Sequence, residues 1–159
     1  MTPLRRIDAV KTEFAEAAER HLDGVHAYLV YLTGDRGTAE ELTGETFARA
    51  CERWHRFDAR RGSARTWLCQ LARSTALDHF RAEERRRRRE GRYAVRVGES
   101  EEQVFGEGLS PALEAALARL SAAEREVVAL RIVLELDGEA AARVLGISAT
   151  ACSTRLSRA

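Results

Sequence analysis

The feature that most limits what this chain can fold into is an interruption. Between Glu90 and Ser110 the sequence EGRYAVRVGESEEQVFGEGLS carries four glycines, several acids and no sustained helical period. The residues on either side repeat apolar side chains at three- and four-residue steps. A chain of 159 residues divided in this way makes two small helical domains, 1–89 and 111–159, with 90–110 as a flexible acidic linker. Two prolines and an abundance of Ala, Leu, Glu and Arg favour helices and leave little of the β-branched alternation that strands need, so the expected class is all-α. No apolar run approaches the roughly 20 residues of a membrane helix. Asp8, Lys11 and Glu13 stand where a signal peptide would place its apolar segment. The reading is therefore no membrane insertion and a cytoplasmic location.

Each helix can be placed by its punctuation. Phe14, Ala17, Ala18, His21, Leu22, Val25, Tyr28, Leu29 and Leu32 form one amphipathic stripe that should stop at Thr33-Gly34-Asp35. Thr38-Ala39-Glu40-Glu41 has the capping-box pattern and starts a second helix through about Trp54. Its apolar side holds Leu42, Thr46, Phe47, Ala50, Cys51 and Trp54, and Glu41, Glu45, Arg49 and Glu52 lie opposite. Ser63 caps a third helix to about Arg89, in which Trp67, Leu68, Leu71, Ala72 and Thr75 face one way. Gln70, Arg73, Arg81 and Arg88 face the other, together with an exposed Leu77. Beyond the linker, Ser110-Pro111 opens a helix through Leu120. Ser121-Ala122-Ala123-Glu124 is a second capping box, leading into Val127, Val128, Leu130, Ile132, Val133 and Leu134. Glu139 to Leu145 and Ala149 to the end are two short helices, with Gly146 and Ser148 between them. Cys51, Cys69 and Cys152 are odd in number, far apart and without a C-x-x-C pair, so they read as reduced core thiols.

Charge then separates the surfaces. Residues 49–96 hold fifteen basic against six acidic side chains and 140–159 hold three against none, whereas 1–48 and 97–139 are net acidic. Neutralising phosphates requires local positive charge, so the two basic blocks are the candidate nucleic-acid surfaces. The last two helices sharpen this. Ala142, Gly146, Ile147 and Cys152 supply the small residue, left-handed turn and buried apolar positions of a helix-turn-helix, with Leu156 one turn further on. An ordinary helical hairpin would share the Ala-x-x-x-Gly spacing. Thr150, Ser153, Thr154, Arg155 and Arg158 favour DNA binding, since they offer hydroxyls and guanidiniums with no acid among them.

With both halves placed, the chain resembles the extracytoplasmic-function (ECF) sigma factors, small two-domain bacterial transcription initiation factors. Three stretches carry the resemblance: AEELTGETFARACERW (39–54), RFDARRGSARTWLCQLARSTALDHFR (56–81) and LSAAEREVVALRIVLELDGEAAARVLGISATACSTRL (120–156). The resemblance implies a first domain that binds the clamp of core RNA polymerase and captures one strand of the melted −10 element. It implies a second domain whose helix-turn-helix reads the −35 duplex of promoter DNA, and an anti-sigma factor as regulator. On this basis Glu41, Glu45, Arg49 and Glu52 are the expected polymerase-binding residues. Arg60, Arg61, Ser63, Arg65, Thr66, Arg73, Ser74 and Arg81 are expected to hold the −10 strand, an unstacked base sitting in a pocket while arginines hold the backbone. Thr150, Ser153, Thr154, Arg155 and Arg158 are expected at the −35 element. Trp67 could serve as a stacking platform, but its period with Leu68 and Leu71 favours the core.

The sequence departs from the family pattern at Gly44, where glutamine is usual, at Thr43 for valine, and at Ser74 for asparagine. Ser153 takes a place that is often basic and Ala141 one that is usually a larger aliphatic. The chain also stops at Ala159, inside the recognition helix where family members continue, so the expectation is a truncated sequence or weak duplex binding. An enzyme is not expected. His21, His26, His55 and His79 form no H-E-x-x-H, there is no phosphate-cradling glycine loop, and Glu52-Arg53-Trp54-His55 is one E-x-x-H where a di-iron bundle needs two. No catalytic residue, metal or cofactor is assigned. The remaining alternative is a sigma-like interaction module that binds a regulator without directing transcription, for which Gly44 and the short C-terminus speak.

Overall fold

A computed structural model describes residues 3–91 and 105–159; residues 92–104, most of the expected linker, lie outside the described part. Among the described residues every regular element is helical: α1 Pro3–Thr33, α2 Arg36–Arg53, a short 3-10 turn Trp54–Arg56, α3 Ala64–Arg89, α4 Pro111–Arg119, α5 Ala122–Val128, a π-helical turn Ala129–Val133, α6 Gly138–Leu145 and α7 Ala149–Arg158.

The first three helices pack through the expected stripes, except that Leu22 of α1 is exposed. Val25, Tyr28 and Leu29 of α1, Leu42 and Ala50 of α2, and Leu68, Cys69, Ala72 and Ala76 of α3 are buried together. Gly34 adopts the left-handed conformation (φ 66°) that turns the chain out of α1. The α2 cap differs from expectation: Asp35 is the N-cap, and its carboxylate accepts from the Thr38 N–H at 2.7 Å. Asp caps as well as Thr does, and starting at Arg36 gives the helix three more residues. Trp54 stacks on Phe57 at 4.8 Å and meets Phe14 and Trp67 edge-on at 5.4 and 5.7 Å. Trp67 is thereby a packing residue, as its period indicates. Two expectations are corrected. Cys51 is exposed, because the buried stripe of α2 runs through Thr46 and Ala50 and residue 51 lies about 100° around from Ala50. Leu77 is half-buried rather than exposed.

In the second half Ser110, Ser121 and Ser148 cap α4, α5 and α7, and the Ser121–Glu124 capping box is complete, with both reciprocal bonds made. The run Val127–Leu134 is not one regular helix. The Leu134 N–H donates to the Ala129 carbonyl at 2.9 Å, widening the last turn, and Ile132 and Val133 consequently point to solvent while Leu130 and Leu134 are buried. Gly146 (φ 66°, ψ 31°) makes the left-handed turn between α6 and α7, and Ala142 and Cys152 are buried where a helix-turn-helix requires them.

The two halves are packed on each other, α3 against α6 and α1 against α5 and the π-helical turn. The expected linker also takes part. Phe105 is almost fully buried, its ring 5.9 Å from Tyr31 of α1 and 5.4 Å beneath the Arg125 guanidinium of α5.

Candidate nucleic-acid and polymerase interface

Three surfaces carry the expected site residues. On α2, Glu41, Glu45 and Glu52 are exposed and Arg49 is half-buried beside them. Helical spacing puts Glu45 and Arg49 on one side, where a guanidinium nitrogen lies 2.6 Å from the Glu45 carboxylate. A second nitrogen of Arg49 reaches Asp78 of α3 at 3.1 Å. Sequence reading missed Asp78, which ties the α2 face to α3. Gly44 lies on this face, and none of the described residues stands within 4 Å of where its Cβ would be.

The loop before α3 and the helix itself hold the second set. Arg60 is exposed and forms a two-pronged pair with Asp58, both contacts 3.0 Å. Those hydrogen bonds hold the Asp58 carboxyl below its ordinary range. Ser63 caps the helix, accepting from the Thr66 N–H at 3.1 Å with its hydroxyl 3.0 Å from that of Thr66. Thr66 is buried by this arrangement, so its hydroxyl serves the cap. Arg61, Arg65, Ser74 and Arg81 are exposed. Arg56, Phe57, Arg61, Gly62, Thr66, Trp67 and Gln70 enclose a cleft of about 290 Å³ that Arg143 of α6 also enters.

Arg73 does not stand on a free basic stripe. Its Nε lies 2.7 Å from Oε1 of Glu126, a buried carboxylate of α5 that also accepts from the Tyr28 hydroxyl at 2.7 Å. Tyr28 is fully buried. Loss of hydration, then the neighbouring carboxylate, raises its pKa well above the ordinary phenol value and keeps it a donor. Two donors converging on one buried carboxylate satisfy the requirement that a buried charge be paired and hydrogen-bonded. The sequence signal was present but unread: Glu126 lies three and four residues before Ala129 and Leu130, on the buried side of α5. Arg65 donates to the Leu134 carbonyl at 2.8 Å. His21 lies at the same seam, its Nδ1 buried without a partner among the described residues. Its pKa is lowered, first by burial and then by the positive charges of Arg65 and Arg20.

The third surface is α7. Thr150, Ser153, Thr154 and Arg158 are exposed and Arg155 is half-exposed, while Cys152 and Leu156 turn inward. Ser148, Thr150, Thr154, Arg155 and Arg158 share an open groove with Ser121 and Glu124 at the start of α5. Glu124 is held there by the capping box, accepting from the Ser121 N–H at 2.8 Å.

Comparison with known proteins agrees with this two-part layout. Residues 17–86 match the Sigma-70 region 2 family and residues 110–159 the Sigma-70, region 4 family. The chain is 35% identical over 141 residues to the ECF RNA polymerase sigma factor SigC of Mycobacterium tuberculosis, covering 85% of this chain and 72% of that protein. It belongs to the ECF sigma factor family. It is also 35% identical over 150 residues to the ECF RNA polymerase sigma factor BldN of Streptomyces coelicolor, spanning 92% of its own length and 57% of that relative. The fold is that of the sigma factor RpoE from Bartonella quintana, solved in complex with the anti-sigma factor NepR (TM-score 0.73, 24% identity, 92% of this chain and 91% of that one). It is likewise that of CnrH, solved with the cytosolic domain of CnrY (TM-score 0.65, 20% identity, 93% and 82%). Among the described residues of this sigma factor no helix is long and apolar enough to cross a membrane.

Proposed function

We propose that this sigma factor binds core RNA polymerase and directs it to promoters, recognising them and assisting their melting. In this reading residues 1–89 form the unit that engages the polymerase clamp and the opened −10 strand, 90–110 the linker, and 111–159 the unit that reads the −35 duplex. The chain acts as a non-catalytic initiation factor of the cytoplasm, without a cofactor. Its proposed regulator is an anti-sigma factor, the kind of partner named in the RpoE complex.

The observation that carries the reading is the outward face of α7. A buried Cys152 and a left-handed Gly146 fix that helix, and its hydroxyls and guanidiniums are left for groove edges and phosphates. The exposed carboxylates of Glu41, Glu45 and Glu52, with Arg49, are assigned to the polymerase. Arg60, Arg61, Ser63, Arg65, Arg73, Ser74 and Arg81 are assigned to the −10 strand, with Thr66 in support through the Ser63 cap.

Run-off transcription on fragmented genomic DNA, with core polymerase and the purified chain, tests the proposal. Discrete transcripts that depend on the chain are expected, with their yield cut at least tenfold by the pair Glu41→Ala and Glu45→Ala. Co-purification with polymerase but no transcript would instead identify an interaction module.

A further inference from the structure

The exposed side chains of α7 are hydroxyls and guanidiniums, and the fold brings one acid to them. Thr150, Thr154, Arg155 and Arg158 line an open groove of about 570 Å³ together with Ser121 and Glu124 at the start of α5. In the sequence Glu124 is the closing residue of a capping box. The box fixes the carboxylate without using all of it: Oε2 accepts from the Ser121 N–H at 2.8 Å, and Oε1 has no hydrogen-bond partner among the described residues. The bonds to Ser121 also hold the carboxyl below its ordinary range, so at neutral pH it is ionised and can only accept.

What such a group can meet on a duplex is narrow. Phosphates repel it, and in the major groove guanine O6, purine N7 and thymine O4 are acceptors like itself. The donors there are the amino groups of cytosine and adenine. Adenine sets its N7 acceptor beside the amino group, where it opposes a carboxylate, and cytosine does not. A fixed carboxylate therefore selects cytosine. Arg155 and Arg158 in the same groove supply the positive potential that lets an acid approach DNA.

We propose that Glu124 is a specificity-determining residue of the −35 contact, accepting a hydrogen bond from the N4 amino group of one cytosine. This role rests on the assignment of α7 to the −35 duplex. It adds a base reader from α5 to those of the recognition helix, and one whose orientation is set by Ser121.

Two substitutions separate this role from a structural one. Gln at the third helical position still closes a capping box, so Glu124→Gln keeps the start of α5 while presenting a donor beside an acceptor, the pattern that pairs with adenine. Glu124→Asp keeps the charge and draws the carboxylate back by one methylene. A chain-dependent promoter recovered by run-off transcription is randomised across its upstream element. Holoenzyme reconstituted from core polymerase and the full chain, wild type or variant, then selects from that duplex pool, and the bound fraction is sequenced. The wild type is expected to prefer cytosine at one position by roughly fivefold or more. Glu124→Gln should move that position to adenine and Glu124→Asp should abolish its preference, with the neighbouring positions unchanged. A gain in binding by Glu124→Gln that is equal for every sequence would place the carboxylate against phosphates and overturn the proposal. A cytosine preference retained in both variants would overturn it too, and in each of these cases the −35 assignment stands. If the wild type selects no upstream sequence, that assignment fails and the proposal with it. Should circular dichroism show that Glu124→Gln loses helix content, Glu124→Asp alone decides: loss of the cytosine preference supports the role and its retention refutes it.

Discussion

Two glycines in open space should respond to the same chemical change with opposite signs. At both Gly44 and Gly146 an added methyl would meet none of the described residues within 4 Å, so packing contributes nothing to either substitution. What differs is the backbone. Gly44 lies in the middle of α2 in helical conformation, where glycine is worse than alanine by roughly 0.5–1 kcal/mol because it loses more chain entropy on folding. Gly146 sits at φ 66°, where a Cβ crowds the following carbonyl at a cost of roughly 1–2 kcal/mol. Gly44→Ala should therefore stabilise the protein by about 0.5–1 kcal/mol and Gly146→Ala destabilise it by about 1–2 kcal/mol. Urea unfolding followed by circular dichroism measures both, as midpoint shifts at constant slope. For a chain of this size each kcal/mol also moves Tm by about 2–4 °C. If both variants shifted the midpoint in the same direction, the argument from backbone conformation would be wrong. So would it be if Gly146→Ala were neutral.

The thiols and one histidine give two further expectations. A water-soluble thiol reagent at pH 8 should label Cys51 quickly and leave Cys69 and Cys152 unlabelled until the chain is unfolded. Burial pushes the Cys69 thiol up to about 12, and rapid labelling of it in the native protein would contradict its placement. His21 should titrate below 6.5 in an NMR pH series, and its midpoint should move up in Arg65→Gln, where one of the two opposing charges is gone. Because the unfolded chain binds that proton more readily, its contribution to stability is present above about pH 6.5 and is lost as pH falls through the lower folded value. A midpoint indifferent to Arg65 would refute the stated cause.

What could be read from the sequence was local. Ser63, Ser110, Ser121 and Ser148 were recognisable as caps because a cap is decided within four residues, and Gly146 because one left-handed residue is enough to end α6. Trp67 could be assigned to packing by its period alone. Pairings across the chain could not be read this way. Glu126 meets Tyr28 and Arg73 from 98 and 53 residues away, and counting charge by blocks made it one more acid in the net-acidic stretch 97–139. Phe105 looked like linker because it lies in a stretch rich in glycines and acids, and only the meeting of Tyr31 and Arg125 gives it a pocket. The π-helical turn escaped for a related reason: Ile132 and Val133 fit the apolar period, and which of them turn outward depends on one widened hydrogen bond at Leu134. At the site the residue types were legible. Their engagement was not, because a guanidinium reads the same whether it awaits a phosphate or already holds a carboxylate.

Phe105 has a mechanical corollary. While its ring stays wedged against Tyr31, the pivot between the helical units is confined to the six residue steps from Phe105 to Pro111, a leash of about 20 Å at full extension. Pulled free, it would leave a contour of twenty residue steps from Gly91 to Pro111, about 70 Å if fully extended. The added reach corresponds to about fifteen base pairs of duplex at 3.4 Å each. On the proposed reading, this single aromatic anchor sets how far apart on a promoter the two helical units can stand.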